Sequence, residues 1–79
     1  MFERRNITKR ETEVVRLVAE GFRNKEVAQK LKISVKTVET HRANIMNKLG
    51  LQNVAQLIHY AVRKGIIHIS QEAFEEARR

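Results

Sequence analysis

The sequence predicts an all-α fold: a compact four-helix domain containing a helix-turn-helix, with a short fifth helix at the C-terminal end. Three observations predict it. Apolar residues recur three and four apart, and no alternating run of strand length occurs. There is no proline, and each of the three glycines falls where a helical stretch stops. Helix-capping residues stand ahead of the apolar stretches. At 79 residues the chain has room for one core. Such a core holds a margin of only about 3–5 kcal/mol.

The elements follow in order. Residues 1–6 read as a leader into the domain. Thr8-Lys9-Arg10-Glu11 forms a capping box, in which the Thr8 hydroxyl accepts from the Glu11 amide and Glu11 reaches back. A first helix runs from there to Glu20. Its inward side carries Val14, Leu17 and Val18, with Val15 and Ala19 beside them, and Gly21 ends it. A second helix begins near Asn24, which is expected to cap it, and packs through Val27, Ala28 and Leu31. After the short turn Lys32-Ile33-Ser34, in which Ile33 plugs into the core, Ser34 caps a third helix of about 35–49. Its stripe is Val38, His41 or Arg42, Ile45 and Leu49, and Gly50 closes it. A fourth helix spans about Asn53 to Lys64, with Leu57 and Ala61 inward, Tyr60 at the edge and Gly65 after its end. A further amphipathic stretch starts at Ser70-Gln71-Glu72, with Glu at its beginning and Arg78-Arg79 at its end. That order suits the helix dipole. The domain is therefore placed at 7–67, with 68–79 as a helical extension.

Composition excludes several functions. All nine acidic residues are glutamate. A Ser-His-Asp triad, an EF-hand loop and a phospho-accepting aspartate are therefore absent from this chain. With no cysteine there is neither a disulfide nor a thiolate zinc site. His41, His59 and His68 share no metal-ligand spacing. No nucleophile setting or phosphate-cradling glycine loop appears, so no enzyme, no cofactor and no small-molecule ligand are expected. No apolar run reaches the ~18 residues of a membrane span. A cytoplasmic protein without membrane contact is expected.

The charge points elsewhere. The chain carries a formal +7 with a pI near 10.4, an excess that suits a polyanion. Residues 21–50 hold seven basic and two acidic groups, net +5, whereas the flanking segments hold net +1 each. The positive field coincides with the second and third helices. Two short helices joined by a tight turn, the second capped by serine, form a helix-turn-helix pattern. A helix of about four turns fits the major groove, and its N-terminal residues meet base edges. Opposite the apolar stripe of the third helix stand Val35, Lys36, Glu39, Thr40 and Ala43, the expected base-reading face. Expected phosphate contacts are Asn24, Lys25, Ser34, Lys36, Thr37, Arg42 and Lys48. The alternatives are plain solvated charge for the cations and, for Glu39, an ion pair with Lys36 or Arg42. Thr37 could equally bond a carbonyl of its own helix. His41 reads as a packed histidine, and Asn44 as structural, bonding the first helix or a phosphate.

The residues Gly21-x-x-Asn24-Lys25-Glu26-Val27-Ala28 and Leu31-x-Ile33-Ser34-x-x-Thr37-Val38-x-x-His41-x-x-Asn44-Ile45-x-x-Lys48-Leu49-Gly50 carry a family pattern. With Ile7-Thr8-x-Arg10-Glu11-x-Glu13-Val14 before and Leu57-x-x-x-Ala61-x-x-x-Gly65-Ile66-Ile67 after, it resembles the LuxR-type helix-turn-helix of the LuxR/NarL/FixJ transcription regulators. The FixJ-like response regulators are nearest, through Thr37-Val38-Glu39-x-His41-Arg42-Ala43-Asn44. The resemblance implies sequence-specific binding of double-stranded DNA by a homodimer in bacterial transcription regulation. The chain would be the output domain of a response regulator or a single-domain regulator, with RNA polymerase as a further partner. On the fourth helix Val54 and Ile58 flank the inward face, and Ala55, His59 and Val62 form a second side. The resemblance assigns Ala55, Ile58, His59 and Val62 to contact with a second copy, the alternative being that Val62 merely widens the core face. Three positions depart from the pattern. Arg23 stands where serine is common, Glu39 where lysine is common, and Val54 where arginine is common. Glu39 accepts from cytosine N4 rather than donating to guanine, and Val54 is expected to pack. The rival reading is a helix-turn-helix adaptor that touches the transcription machinery, which would not need the concentrated positive charge.

Overall fold

The computed structural model describes residues 7–68. The leader expected over 1–6 and the fifth helix expected beyond His68 lie outside the described residues. Four helices occur in order: α1 (Lys9–Ala19), α2 (Asn24–Leu31), α3 (Val35–Leu49) and α4 (Val54–Arg63). No strand is present among the described residues, and no described helix is long and apolar enough to cross a membrane.

Local chemistry sets most of the boundaries. The Thr8 hydroxyl accepts from the Glu11 amide at 3.0 Å, while Glu11 Oε1 accepts from the Thr8 amide at 2.9 Å. Both halves of the expected capping box are thus made. Ser34 Oγ accepts from the Thr37 amide at 3.0 Å, and Asn53 Oδ1 accepts from the Gln56 amide at 2.9 Å. These caps satisfy amides that have no partner inside their own helix. At the other ends, Gly50 takes a left-handed φ of 67° and Gly65 one of 73°, the conformation that glycine adopts without the steric cost of a Cβ.

The start of α2 corrects the sequence expectation. Arg23, not Asn24, is the N-cap residue, and Asn24 is the first helical residue. Glu26 Oε1 accepts from the Arg23 amide at 2.8 Å. The reciprocal bond is not available, because a guanidinium has no acceptor. The Asn24 side chain has turned away to another partner, described below. The link between α2 and α3 holds a second departure: Lys32 has φ 59° and ψ 45°, a left-handed conformation with no glycine to accommodate it. It lets the Ile33 amide reach the Ala28 carbonyl at 3.0 Å, and Ile33 packs half-buried on the core as expected.

The core is built from all four helices. Val14 and Val15 of α1, Val27 of α2 and Val38 and Ile45 of α3 are essentially fully buried. Leu57 and Ala61 close it from α4, and Ile67 follows after the turn. Helix α1 packs against α2, α3 and α4, and α2 packs against α3. The central position of α1 leaves the outer face of α3 uncovered. Val54 does not join the core: it is 46% exposed. Val54 shares the wheel side of Leu57 and Ala61 but is the first residue of α4, at the end of the helix.

Candidate nucleic-acid interface

The candidate surface is the outer face of α3 with the adjoining start of α2. Successive helical residues are turned by about 100°, so Lys36, Glu39, Thr40 and Ala43 fall on one side and Val38, Ile45 and Leu49 on the other. The structure agrees: the first four are exposed, Val38 and Ile45 are buried, and Leu49 is half-buried. Val35, in the first turn, is 39% exposed. All five expected base-reading residues therefore share an open surface. Asn44 and Asn47 are exposed too. Asn47 lies one turn beyond Ala43 and extends the polar face, a place the helical period could have disclosed. Asn44, expected to be structural through the first helix or a phosphate, is open to solvent. His41 is half-buried at the edge of the core.

The expected phosphate-binding residues divide into three groups. Lys25 and Lys36 are exposed, one in the first turn of α2 and one in the first turn of α3. Ser34 and Thr37 sit together at the start of α3, their hydroxyl oxygens 2.9 Å apart. The Thr37 hydroxyl thus meets a side chain rather than a carbonyl of its own helix. Asn24 and Arg42 meet each other: Arg42 Nη1 donates to Asn24 Oδ1 at 2.7 Å.

Lys48 stands apart. Its Nζ is 2.7 Å from Glu11 Oε1, a contact between residues 37 apart in sequence. The Glu11 side chain is only 8% exposed and that of Lys48 35%. Burial pushes the Glu11 carboxyl pKa up. The Lys48 hydrogen bond and charge, with the two Thr8 bonds, outweigh it and hold the carboxyl below the ordinary glutamate value. Lys48 therefore ties the end of α3 to the start of α1 and has its charge matched there.

On α4 the four residues expected at an interface differ in exposure. Ala55, His59 and Val62 are exposed, Val62 at 41%, and Ile58 is half-buried against the core. Exposed Val54 stands one turn before Ile58 and two before Val62. The three form an apolar stripe at the spacing of one helical face.

Fold and surface together define a small helix-turn-helix domain whose second helix of the pair presents a polar, cation-flanked face. Residues 5–61 match the family described as "Bacterial regulatory proteins, luxR family". The chain belongs to this family. It is 49% identical over 61 residues to the oxygen regulatory protein NreC of Staphylococcus aureus, covering 77% of this chain and 28% of NreC. Little more than a quarter of that relative's length is thus represented. Among solved structures, the transcription factor GerE superimposes with a TM-score of 0.71 at 34% identity, covering 81% of this chain and 96% of GerE. A complex of Vibrio cholera VqmA with ligand and DNA also gives a TM-score of 0.71, at 31% identity, over 89% of this chain and 31% of VqmA.

Proposed function

We propose that this chain binds double-stranded DNA sequence-specifically and regulates transcription in the bacterial cytoplasm, with α3 seated in the major groove. The observation that carries the reading is the uncovered face of Val35, Lys36, Glu39, Thr40 and Ala43, set within the segment of net +5. A helix presenting mid-sized polar and methyl-bearing side chains fits a groove, and cations beside it meet the phosphates that line it. Lys25, Lys36 and Arg42 supply affinity through phosphate contacts and counterion release. Ser34 and Thr37 add hydroxyl groups at the start of α3. Glu39 selects cytosine through its N4 amine, and Val35 and Ala43 favour the thymine methyl. Lys48, paired with Glu11, adds little to the field at the groove.

Two copies bind a two-fold site with half-sites about one helical turn apart. The α4 stripe of Val54, Ala55, Ile58, His59 and Val62 meets its own equivalent across the axis. The domain, placed at 7–67, serves as the output end of a longer response regulator, in keeping with the greater length of NreC, and RNA polymerase is the machinery it would engage.

Fluorescence anisotropy of a labelled duplex, titrated at several salt concentrations, tests this. A log–log slope of about −4 to −6 is expected, since each neutralised phosphate contributes about −0.9. Lys25→Ala should weaken binding to all sequences alike, and Glu39→Ala should change the ranking of sequences in a site library. Equal losses across the library for both variants would refute that division. No binding at the lowest salt would remove the DNA reading and leave the adaptor role in its place.

A further inference from the structure

Arg42 and Lys48 are the two cations of α3 with long-range side-chain hydrogen bonds, and their partners differ in kind. Lys48 meets a carboxylate, Glu11, which cancels its charge. Arg42 meets a neutral carboxamide, Asn24, at 2.7 Å, which fixes the side chain and leaves the charge intact. Arg42 stands one turn after buried Val38 and three residues after exposed Glu39. It thus lies on the border between the packed side of α3 and the outer face, on the flank that meets α2. Asn24 opens α2 but does not cap it; its oxygen is committed to the guanidinium. One of the five guanidinium N–H donors is used there, and the planar group keeps further donors for a second partner.

We propose that Asn24 is a positioning residue that holds the Arg42 guanidinium, with its full charge, ready for a DNA backbone phosphate beside the groove. The proposal rests on the DNA-binding reading above and makes Asn24 act through Arg42 rather than through a phosphate contact of its own. A long side chain ordered before binding loses less freedom on binding. The same bond joins α2 to α3 across 18 residues, so the phosphate contact and the angle of the helix pair are fixed by one group.

The test is a double-mutant cycle on the full chain, read by anisotropy with a labelled generic duplex at several salt concentrations, with folding followed by circular dichroism. Arg42→Ala should weaken binding and flatten the log–log salt slope by about 0.9 for each copy bound. Asn24→Ala should weaken binding about three- to tenfold, and the double variant should bind no more weakly than Arg42→Ala alone. Asn24→Asp keeps the bond but cancels the charge. It should lose affinity as Arg42→Ala does while melting no lower than the wild type. Losses that multiply in the double variant, unchanged affinity in Asn24→Ala, or wild-type affinity in Asn24→Asp would each overturn the proposal alone. A wild-type chain that bound no duplex would overturn the DNA reading and this proposal with it.

Discussion

Replacing Lys48 with methionine should destabilise the domain at neutral pH and do so much less in acid. The substitution keeps most of the aliphatic stem and removes the ammonium from Glu11, whose Oε1 would retain the Thr8 amide at 2.9 Å. A charge-assisted bond contributes about 1.5–3 kcal/mol when buried, and an exposed ion pair about 0–1 kcal/mol. Glu11 is almost wholly enclosed, but the Lys48 side chain is 35% exposed, so water screens part of the interaction. The expected loss lies between those limits, about 1–2 kcal/mol. For a domain of this size that lowers the melting temperature by about 5–15 °C. The pH dependence follows from the carboxyl. Its folded pKa is below the ordinary glutamate value, so its stabilisation is present above that value and is lost as pH falls through the folded pKa. Without Lys48, burial raises the pKa, and protonation then relieves the buried charge. The gap between variant and wild type should therefore be widest at neutral pH and should close as glutamate protonates. Glu11→Gln should cost less, since Lys48 can turn toward water. Thermal denaturation followed by circular dichroism at neutral and acidic pH measures all three proteins. A Lys48→Met melting temperature within ~2 °C of wild type at neutral pH, or a gap that does not narrow in acid, would refute the reasoning.

Other substitutions test the frame around the candidate surface. Arg23→Ser should stabilise the domain by about 1 kcal/mol by giving α2 the side-chain cap it lacks, visible as a raised urea midpoint at unchanged slope. Gly50→Ala should cost about 1 kcal/mol; an added Cβ meets nothing within 4 Å, so the left-handed φ of 67° is the whole cause, and a chemical melt reads it. Ile45→Ala removes a side chain that is 1% exposed. It should cost about 2–5 kcal/mol, enough to leave the domain largely unfolded by circular dichroism at room temperature.

What was legible in the sequence was local. The caps at Thr8, Ser34 and Asn53 act over three residues, so spacing alone discloses them. The alternation of buried and exposed positions on α3 follows from the helical period. Two side-chain partners distant in the chain left no local sign. Asn24 reads as a cap because nothing nearby shows Arg42, and the Lys48 pairing is hidden because Glu11 stands 37 residues before it. Val54 reads as core because apolar residues generally pack. It shares the wheel side of Leu57 and Ala61, but as the first residue of α4 it stays 46% exposed. The left-handed Lys32 leaves no compositional trace, since such turns normally announce themselves with glycine or asparagine.

The central place of α1 also matters while the protein is being made. Its buried residues Val14, Val15, Leu17 and Val18 share a core with Leu57 and Ala61. At a synthesis rate of about 5–20 residues per second, roughly two to nine seconds separate the appearance of Val18 from that of Ala61. During that interval a valine-rich ridge stands in a nascent chain without its last partner. The helix-turn-helix can dock on it from one side first. The far side of α1 is covered only when α4 has been added.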